Sequence, residues 1–302
     1  MSIKLNKSRR LPEWLKVQLP KNRKFFQLKS LVEKYNLNTV CESASCPNIG
    51  TCWDAGTLTF MILGDTCSRA CRFCDVATGN MLAPDPDEPS RIAETLSKLD
   101  LRYAVITSVD RDDLIDGGAE HWVKTIELIR TRCPQMKIET LIPDFQGKMD
   151  LVEKICMADP DVLAHNLETV ESLQSRLRPQ CRYSWSLDTL RTAAVKKNLI
   201  VKSSLMLGLG EREEEVVRSM KDLVDAGCKI LSLGQYLRPS PRHLEVVEFI
   251  HPDKFSEYKV IGESLGLKHV EAGPLVRSSY LADKQAQAVG LGGWKSNVRN
   301  IS

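Results

Sequence analysis

The chain has 302 residues, 42% hydrophobic and 27% charged, enough to bury a sizeable core and unlike a disordered or fibrous composition. Its 42 basic and 39 acidic residues leave a formal charge of +3, too even to argue for nucleic acid. No apolar run reaches the roughly 18 residues of a membrane span, and the basic start MSIKLNKSRRLPEWLKVQLP has no apolar h-region, so the expectation is a cytoplasmic protein, with no membrane and no nucleic acid.

Residues 1–40 read as basic and helix-capable, without a strand signal. A regular alternation then begins. Short apolar runs at 58–64, 103–109, 137–143, 161–168, 199–210 and 229–236 have strand composition. Between and after them, 91–100, 121–132, 149–159, 186–198, 211–227 and a segment near 252–265 have helical spacing, with Gly227 at the C′ position of its helix. Short apolar strands alternating with amphipathic helices imply parallel βαβ units. Six units predict an α/β fold, a partial (βα)6 TIM-type barrel with N- and C-terminal extensions, and a doubly wound sheet is the alternative. The division is 1–55, 56–270 and 271–302. The strand ends run into GDTC, TSVD, IPD, HNLE, GLGE and GQYLRPS, and the active site of a parallel barrel is built from such ends.

Six of the ten cysteines fall between Cys41 and Cys74 as two triplets, C-x4-C-x5-C (Cys41, Cys46, Cys52) and C-x3-C-x2-C (Cys67, Cys71, Cys74). In a reducing compartment clustered cysteines read as metal-binding or catalytic. Four thiolates saturate a zinc or a four-iron cluster, whereas three on a four-iron cluster leave one iron open to an outside ligand. Zinc is the alternative, but there is only one C-x2-C and no paired histidines follow it. Cys133, Cys156, Cys181 and Cys228 are scattered and read as structural. His121, His165, His243, His251 and His269 lack ligand spacing.

The second triplet, placed at the first barrel strand, resembles the radical S-adenosylmethionine (SAM) superfamily. The first triplet sharpens this. With ESASCPNIGTCW, TSVDRDDLIDGGAEHW, IETLIPDF, HNLETV, LMLGLGE, GQYLRPS and GPLVRSSY, the chain resembles the lipoyl synthase family from about residue 12 to 285. Enzymes of the biotin synthase type lack the first triplet and the RSSY end. The resemblance implies two [4Fe-4S] clusters and SAM. Cys67, Cys71 and Cys74 would hold the cluster that binds and cleaves SAM to methionine and a 5′-deoxyadenosyl radical. Cys41, Cys46 and Cys52, with Ser279 of RSSY, would hold an auxiliary cluster that is the sulfur source. The implied reaction inserts sulfur at C6 and C8 of a protein-bound octanoyl chain, a sulfurtransferase activity. Such C–H bonds are not acidic, so no catalytic acid or base is expected. The implied partners are octanoylated carriers (lipoyl domains of 2-oxo acid dehydrogenase E2 subunits, the glycine cleavage H protein), an electron donor such as ferredoxin or flavodoxin, and cluster-assembly proteins.

The SAM contacts are read at strand ends. Phe73 either faces adenine or packs on the barrel wall. Asp110, with Arg111 and Asp112 beside it, stands where the superfamily contacts the methionine amine. Asn166 and Glu168 suit the ribose hydroxyls or that amine, though Glu168 alternatively caps a helix. Gly208, Gly210 and Glu211 read as a glycine-rich approach to the cofactor or as a plain turn. Arg277 either serves the auxiliary site or makes a surface ion pair. Leu281 follows RSSY where a basic residue is common in the family, and Ser204 stands where glycine is frequent.

Overall fold

The computed structural model describes residues 11–16, 23–54, 57–99 and 101–292. The remaining positions of the two expected extensions (1–10, 17–22, 55 and 293–302) lie outside the described residues. A 3-10 turn (Glu13–Leu15) and helix α1 (Arg23–Lys34) precede a two-residue strand β1 (Asn38–Thr39) and short helices α2 (Val40–Ser43) and α3 (Ile49–Asp54). Next come β2 (Thr59–Ile62) and a small parallel pair, β3 (Thr66–Cys67) and β4 (Ala77–Thr78). The repeating part runs α4 (Glu88–Lys98), β5 (Tyr103–Ser108), α5 (Ala119–Arg132), β6 (Lys137–Leu141), α6 (Met149–Met157), β7 (Val162–Ala164), α7 (Glu171–Leu177) and α8 (Tyr183–Ala194). It ends with β8 (Ile200–Leu207), α9 (Glu213–Asp225), β9 (Ile230–Gln235), α10 (Pro252–Leu265), β10 (His269–Gly273) and α11 (Ala282–Ala288).

All six expected strands form one parallel run, β2-β5-β6-β7-β8-β9. The sheet order does not close, so the barrel is partial. Two edge strands were not foreseen. β10 adds a seventh parallel strand beside β9, across the expected 270/271 boundary. β1 pairs antiparallel with β2 (Asn38 opposite Met61, Thr39 opposite Phe60), a correction to the expectation of no strand before residue 41. β1 has only two residues, and β10 (HVEAG) contains no apolar run.

The strand β2 is buried throughout and β9 likewise, as strands covered on both faces must be. Outward residues such as Ala104 and Ile106 join the core packed by the helices. On α9 this contact is made by Val216, Met220 and Leu223, spaced by four and three residues, while Glu213, Glu214 and Glu215 occupy the first turn where the helix dipole favours acids. Gly227 does end this helix, with φ +85°, and a Cβ there would fall 2.5 Å from that of Ala194.

Inward residues make a separate cluster. Tyr103, Val105 and Val162 pack with Ala282 and Ala286, so α11 lies against the inner face of the barrel. Ser232 Oγ donates to Gln285 Oε1 at 3.1 Å, fixing the helix to β9. A buried ion pair, Lys202 to Glu139 at 2.8 Å, spans β8 and β6 in the same interior. Removing one partner of such a pair costs ~3–5 kcal/mol, because the other charge is stranded.

Candidate functional site

In the second triplet Cys67 ends β3, and Cys71 and Cys74 sit in the loop between β3 and β4, at the C-terminal mouth of the barrel. The loop is fastened to its surroundings on every side. Ser68 N–H donates to Asp110 O at 3.0 Å, Asp112 N–H donates to Ser68 Oγ at 3.0 Å, Ala70 N–H to Gln180 Oε1 at 2.7 Å and Arg72 N–H to Leu177 O at 2.9 Å. His243 donates from Nε2 to Cys74 O at 3.0 Å, while Ser240 O–H donates to its Nδ1 at 2.9 Å. The Cys67 sulfur accepts backbone N–H groups from Arg69 (3.4 Å) and Asp110 (3.3 Å).

Beneath the loop lies a buried charge network that the sequence did not announce. Arg69 has a fully buried side chain. It bonds Asp112 through Nε (2.7 Å) and Nη2 (2.9 Å), Asp144 through Nη2 (2.7 Å), and approaches Asp110 at 3.4 Å. Burial, the largest single influence, raises the Asp144 carboxyl, but its hydrogen bond to Arg69 and the charges of Arg69 and Arg178 together hold it below the usual range. For Asp110 burial wins over Arg69, and its carboxyl is raised. His165 is neutral: burial and the neighbouring Arg178 pull it down to about 4. Its Nδ1–H donates to Ile142 O at 2.8 Å and its Nε2 pairs with Ser186 Oγ at 3.0 Å.

A cavity of about 230 Å³ opens over this triplet, lined by Cys67, Cys71, Cys74, Phe73, Asp110, Asn166, Glu168 and Arg178. Asn166 and Glu168 reach it because the expected strand 161–168 breaks after Ala164. The chain bulges at Leu167 and rejoins β8 at Glu168, whose φ is +69°. Asn166 Nδ2 donates to Glu168 Oε1 at 3.0 Å, which leaves Asn166 Oδ1 buried and unpartnered. Burial raises the Glu168 carboxyl. Arg178 is buried with loose contacts (Asn166 O 3.3 Å, Ser186 Oγ 3.3 Å, Asp144 3.9 Å), and its Nε has no partner.

The first triplet is assembled by β1, α2 and α3. Thr39 caps α2, accepting Glu42 N–H at 3.4 Å, and Cys41 follows in the first turn. Cys46 N–H donates to Cys41 O at 3.0 Å, and Cys52 lies on α3. Helix α1 supports this platform, with Phe25 against Trp53 at 5.3 Å between ring centroids. The C-terminal segment meets it: Asn48 Nδ2 donates to Leu275 O at 2.5 Å, and the Leu281 backbone N–H donates to the Cys52 sulfur. Leu281, at φ +46°, therefore acts through its backbone. Cys41, Cys46, Cys52, Arg277 and Ser279 all line one cavity of about 390 Å³. Val40, Phe73, Cys74, Glu168, Ser278 and Ser279 line both cavities, so the two spaces are contiguous.

The donor chemistry suits cationic iron. Burial pushes the Cys52 and Cys67 thiols up to about 12 and Cys74 up to about 11, and also raises Cys41 and Cys46. Such thiols keep their protons until a bound cation displaces them. Burial pulls the Arg277 guanidinium down while the Cys46 sulfur beside it pulls it up, the reverse of a surface ion pair and a fit for an anionic thiolate site.

Other expected residues lie elsewhere. Arg111 is turned away, bonding Asp113 (2.9 Å), Leu63 O (3.2 Å) and Leu82 O (2.9 Å), and Asp112 is taken by Arg69. Gly208, Gly210 and Glu211 do not line either cavity. Glu211 accepts the N–H groups of Gly208 (2.5 Å) and Leu209 (2.9 Å), closing the segment as a turn. Phe73 packs with Leu177, Leu209 and Tyr236 and also faces both cavities. Cys156 and Cys228 are core residues, Cys133 packs at its margin, and Cys181 stands against the cluster loop, accepting from Arg69 Nη1 at 3.1 Å.

A partial parallel barrel with a three-thiol loop at its mouth, over a cavity lined by polar strand ends, defines the class of radical SAM enzymes. Residues 61–223 match the Radical SAM superfamily, and residues 2–46 match the N-terminal domain of lipoyl synthase of the radical SAM family. The fold is shared with the solved structures of methylornithine synthase (TM-score 0.52, 13% identity, 80% of this chain and 74% of that one) and of Streptococcus suis SuiB with its precursor peptide (0.56, 12%, 88% and 58%). Lipoyl synthase of Flavobacterium psychrophilum is 50% identical over 90% of this chain and 94% of its own length. That of Thermus thermophilus is 51% identical (91% and 86%), and the mitochondrial lipoyl synthase of Nematostella vectensis 49% (90% and 94%). The chain belongs to the lipoyl synthase family.

The seat of Ser279 depends on one glycine. A Cβ at Gly234 of β9 would fall 2.0 Å from Val276 O and 3.2 Å from Arg277 Nη1. Gly234→Ala should displace 276–279 from the first triplet, at a cost of about 1–3 kcal/mol from overpacking. Any iron that the first triplet holds should be lost with SAM cleavage retained, checked by iron content and methionine release.

Proposed function

We propose that the chain converts a protein-bound octanoyl group to a lipoyl group by inserting sulfur at C6 and C8. The observation that carries this reading is the contiguity of the two cavities: the triplets share walls at Cys74, Ser278 and Ser279, and the larger space is mostly apolar, as an eight-carbon chain requires. As a radical SAM enzyme it uses a [4Fe-4S] cluster and SAM. We assign Cys67, Cys71 and Cys74 to that cluster and Cys41, Cys46, Cys52 and Ser279 to an auxiliary [4Fe-4S] cluster that is consumed as sulfur donor. When bound, the first of these supplies the electron that cleaves SAM to methionine and a 5′-deoxyadenosyl radical.

The chain's own residues bind, orient and exclude water. Asp110, its carboxyl raised by burial, would face the SAM amine, and Asn166 and Glu168 would offer oxygens to the ribose. Phe73 lines both spaces and would serve the adenine. Arg178, buried and loosely partnered, is suited to the SAM carboxylate. Ser279 offers an oxygen, a harder donor than a thiolate and easier to release. The unit 56–270 would generate the radical, while 1–55 and 271–302 would together hold the sulfur donor.

The substrates are lipoyl carrier proteins. Within that class we propose lipoyl domains of 2-oxo acid dehydrogenase E2 subunits and the glycine cleavage H protein, with ferredoxin or flavodoxin as electron donor and cluster-assembly proteins for reloading. A cytoplasmic site of action fits the ten free cysteines. Among the described residues no helix is long and apolar enough to cross a membrane. The test is anaerobic incubation of cluster-loaded protein with SAM, a low-potential reductant and an octanoyl-lysyl peptide. The expected product carries two sulfurs; 5′-deoxyadenosine without thiolated peptide would contradict the proposal.

A further inference from the structure

We propose that the outer face of the second triplet's loop, around Arg72 and Arg242, is the docking surface for an acidic protein that carries one low-potential electron. What that electron reduces rests on the cluster assignment above; the docking surface does not.

The loop has two faces. One looks into the barrel over the cavity of about 230 Å³. On the other lies a depression of about 630 Å³ whose walls come from positions within 70–78 and 242–244, and so from no barrel strand. Cys71, Cys74, Val76 and Thr78 line both spaces, which leaves a wall one side chain thick between them. The depression meets the apolar cavity of about 390 Å³ at Cys74 alone. Its two walls are tied together: His243 Nε2 donates to Cys74 O at 3.0 Å, and Leu244 N–H donates to Arg72 O at 3.3 Å. This outer approach stays open when SAM and an acyl chain fill the inner spaces. Electron transfer weakens steeply with distance through protein, so a donor that must act while SAM is bound needs such a thin outer wall.

The charge on this face selects the donor. The residues lining the depression include two arginines and no carboxylate. Arg72 is exposed, and among the described residues none makes an ion pair or hydrogen bond with its guanidinium. The Arg242 side chain is 78% exposed, and its ion pair to Asp75, at 3.6 Å, is a surface contact of little strength. Outside the lining, Arg238 and Glu245 pair at 3.5 Å and cancel. A concave, arginine-bearing face fits a carrier whose redox group lies at a surface ringed by carboxylates, joined in a small, salt-sensitive interface. One electron leaves the carrier's reduced group and enters the cluster; no bond forms or breaks, and the carrier departs oxidised by one electron. A cluster-assembly protein fits less well, because a preformed cluster, unlike an electron, cannot cross the wall.

The test uses the full chain, with an acidic flavodoxin as the probe. Binding of oxidised flavodoxin is measured before and after cluster loading. SAM cleavage by the loaded chain is driven either by flavodoxin hydroquinone or by dithionite, a small reductant that needs no docking. Arg72→Glu with Arg242→Glu should weaken flavodoxin binding and slow flavodoxin-driven cleavage at least about tenfold, with dithionite-driven cleavage within about twofold of the parent. Raising salt from about 50 to about 300 mM should weaken flavodoxin binding to the parent in the same direction. Because Arg72 lies inside the triplet, two further variants are compared. Arg242→Glu alone should lose at least about threefold in binding, and Arg72→Lys with Arg242→Lys should keep the parent's binding. Unchanged flavodoxin binding in the charge-reversed variants, a loss that the lysine pair shares, or binding of a cluster-assembly protein but not of flavodoxin at these arginines would overturn the proposal. Failure of dithionite to drive cleavage in the parent would strike the cluster assignment instead, and the binding measurement, which needs no iron, still decides the docking surface.

Discussion

Replacing Cys67, Cys71 and Cys74 together by alanine will abolish SAM cleavage, to below about one-thousandth of the parent rate, and leave one cluster in the protein. Replacing Cys41, Cys46 and Cys52 will do the opposite: SAM cleavage continues and sulfur insertion stops. The two triplets are separable because different elements build them. The second is held by the ends of β5 and β6 through Arg69, Asp112 and Asp144, and by the 177–180 segment. The first is held by α1, α2, α3 and the C-terminal segment. Each cysteine-to-alanine change removes a single buried sulfur, so neither support collapses. The readouts are 5′-deoxyadenosine, thiolated peptide and iron per chain. Lipoyl product from the first-triplet variant would remove that site from the sulfur's path.

Ser279→Cys will preserve the auxiliary cluster and suppress sulfur insertion at least about tenfold, while SAM cleavage at the other triplet persists. Three thiolates and a serine oxygen form a weaker cage than four thiolates. A cluster stripped of sulfide should leave the first and remain in the second. The parent protein alone should therefore make about one lipoyl group per chain and then stop, releasing iron as it does so. Position 279 can exert this control because its segment is clamped from both sides, by Asn48 on Leu275 O and by the Leu281 N–H on the Cys52 sulfur. Many turnovers without cluster-assembly proteins, or product without iron loss, would rule out a consumed cluster.

The barrel was legible because its signal is local: apolar runs such as 103–109 and 229–236 are buried apart from Ser108 and Lys229 and became β5 and β9 nearly unchanged. The triplets and RSSY were legible as motifs, and their meeting required the fold. What escaped were features that only tertiary contact creates. β10 carries His269 and Glu271 and buries only Val270, and β1 has two residues. Nothing in the sequence singles out Arg69, yet three aspartates from two strand ends converge on it. Arg178 and His243 lie far from the cysteines in sequence and reach the site through folding. Gly208, Gly210 and Glu211 also hold a contact that the motif does not announce: the Glu211 carboxylate accepts the Gly208 and Leu209 N–H groups of its own turn.

The central claim is that the cluster on Cys41, Cys46, Cys52 and Ser279 is itself the sulfur donor. It is tested most directly by loading the protein with clusters made from heavy-isotope sulfide and running one turnover with unlabelled sulfide in solution. Mass spectrometry of the lipoyl peptide should find the heavy isotope at both C6 and C8. Product carrying the solution isotope, from protein whose labelled clusters stay intact, would contradict it.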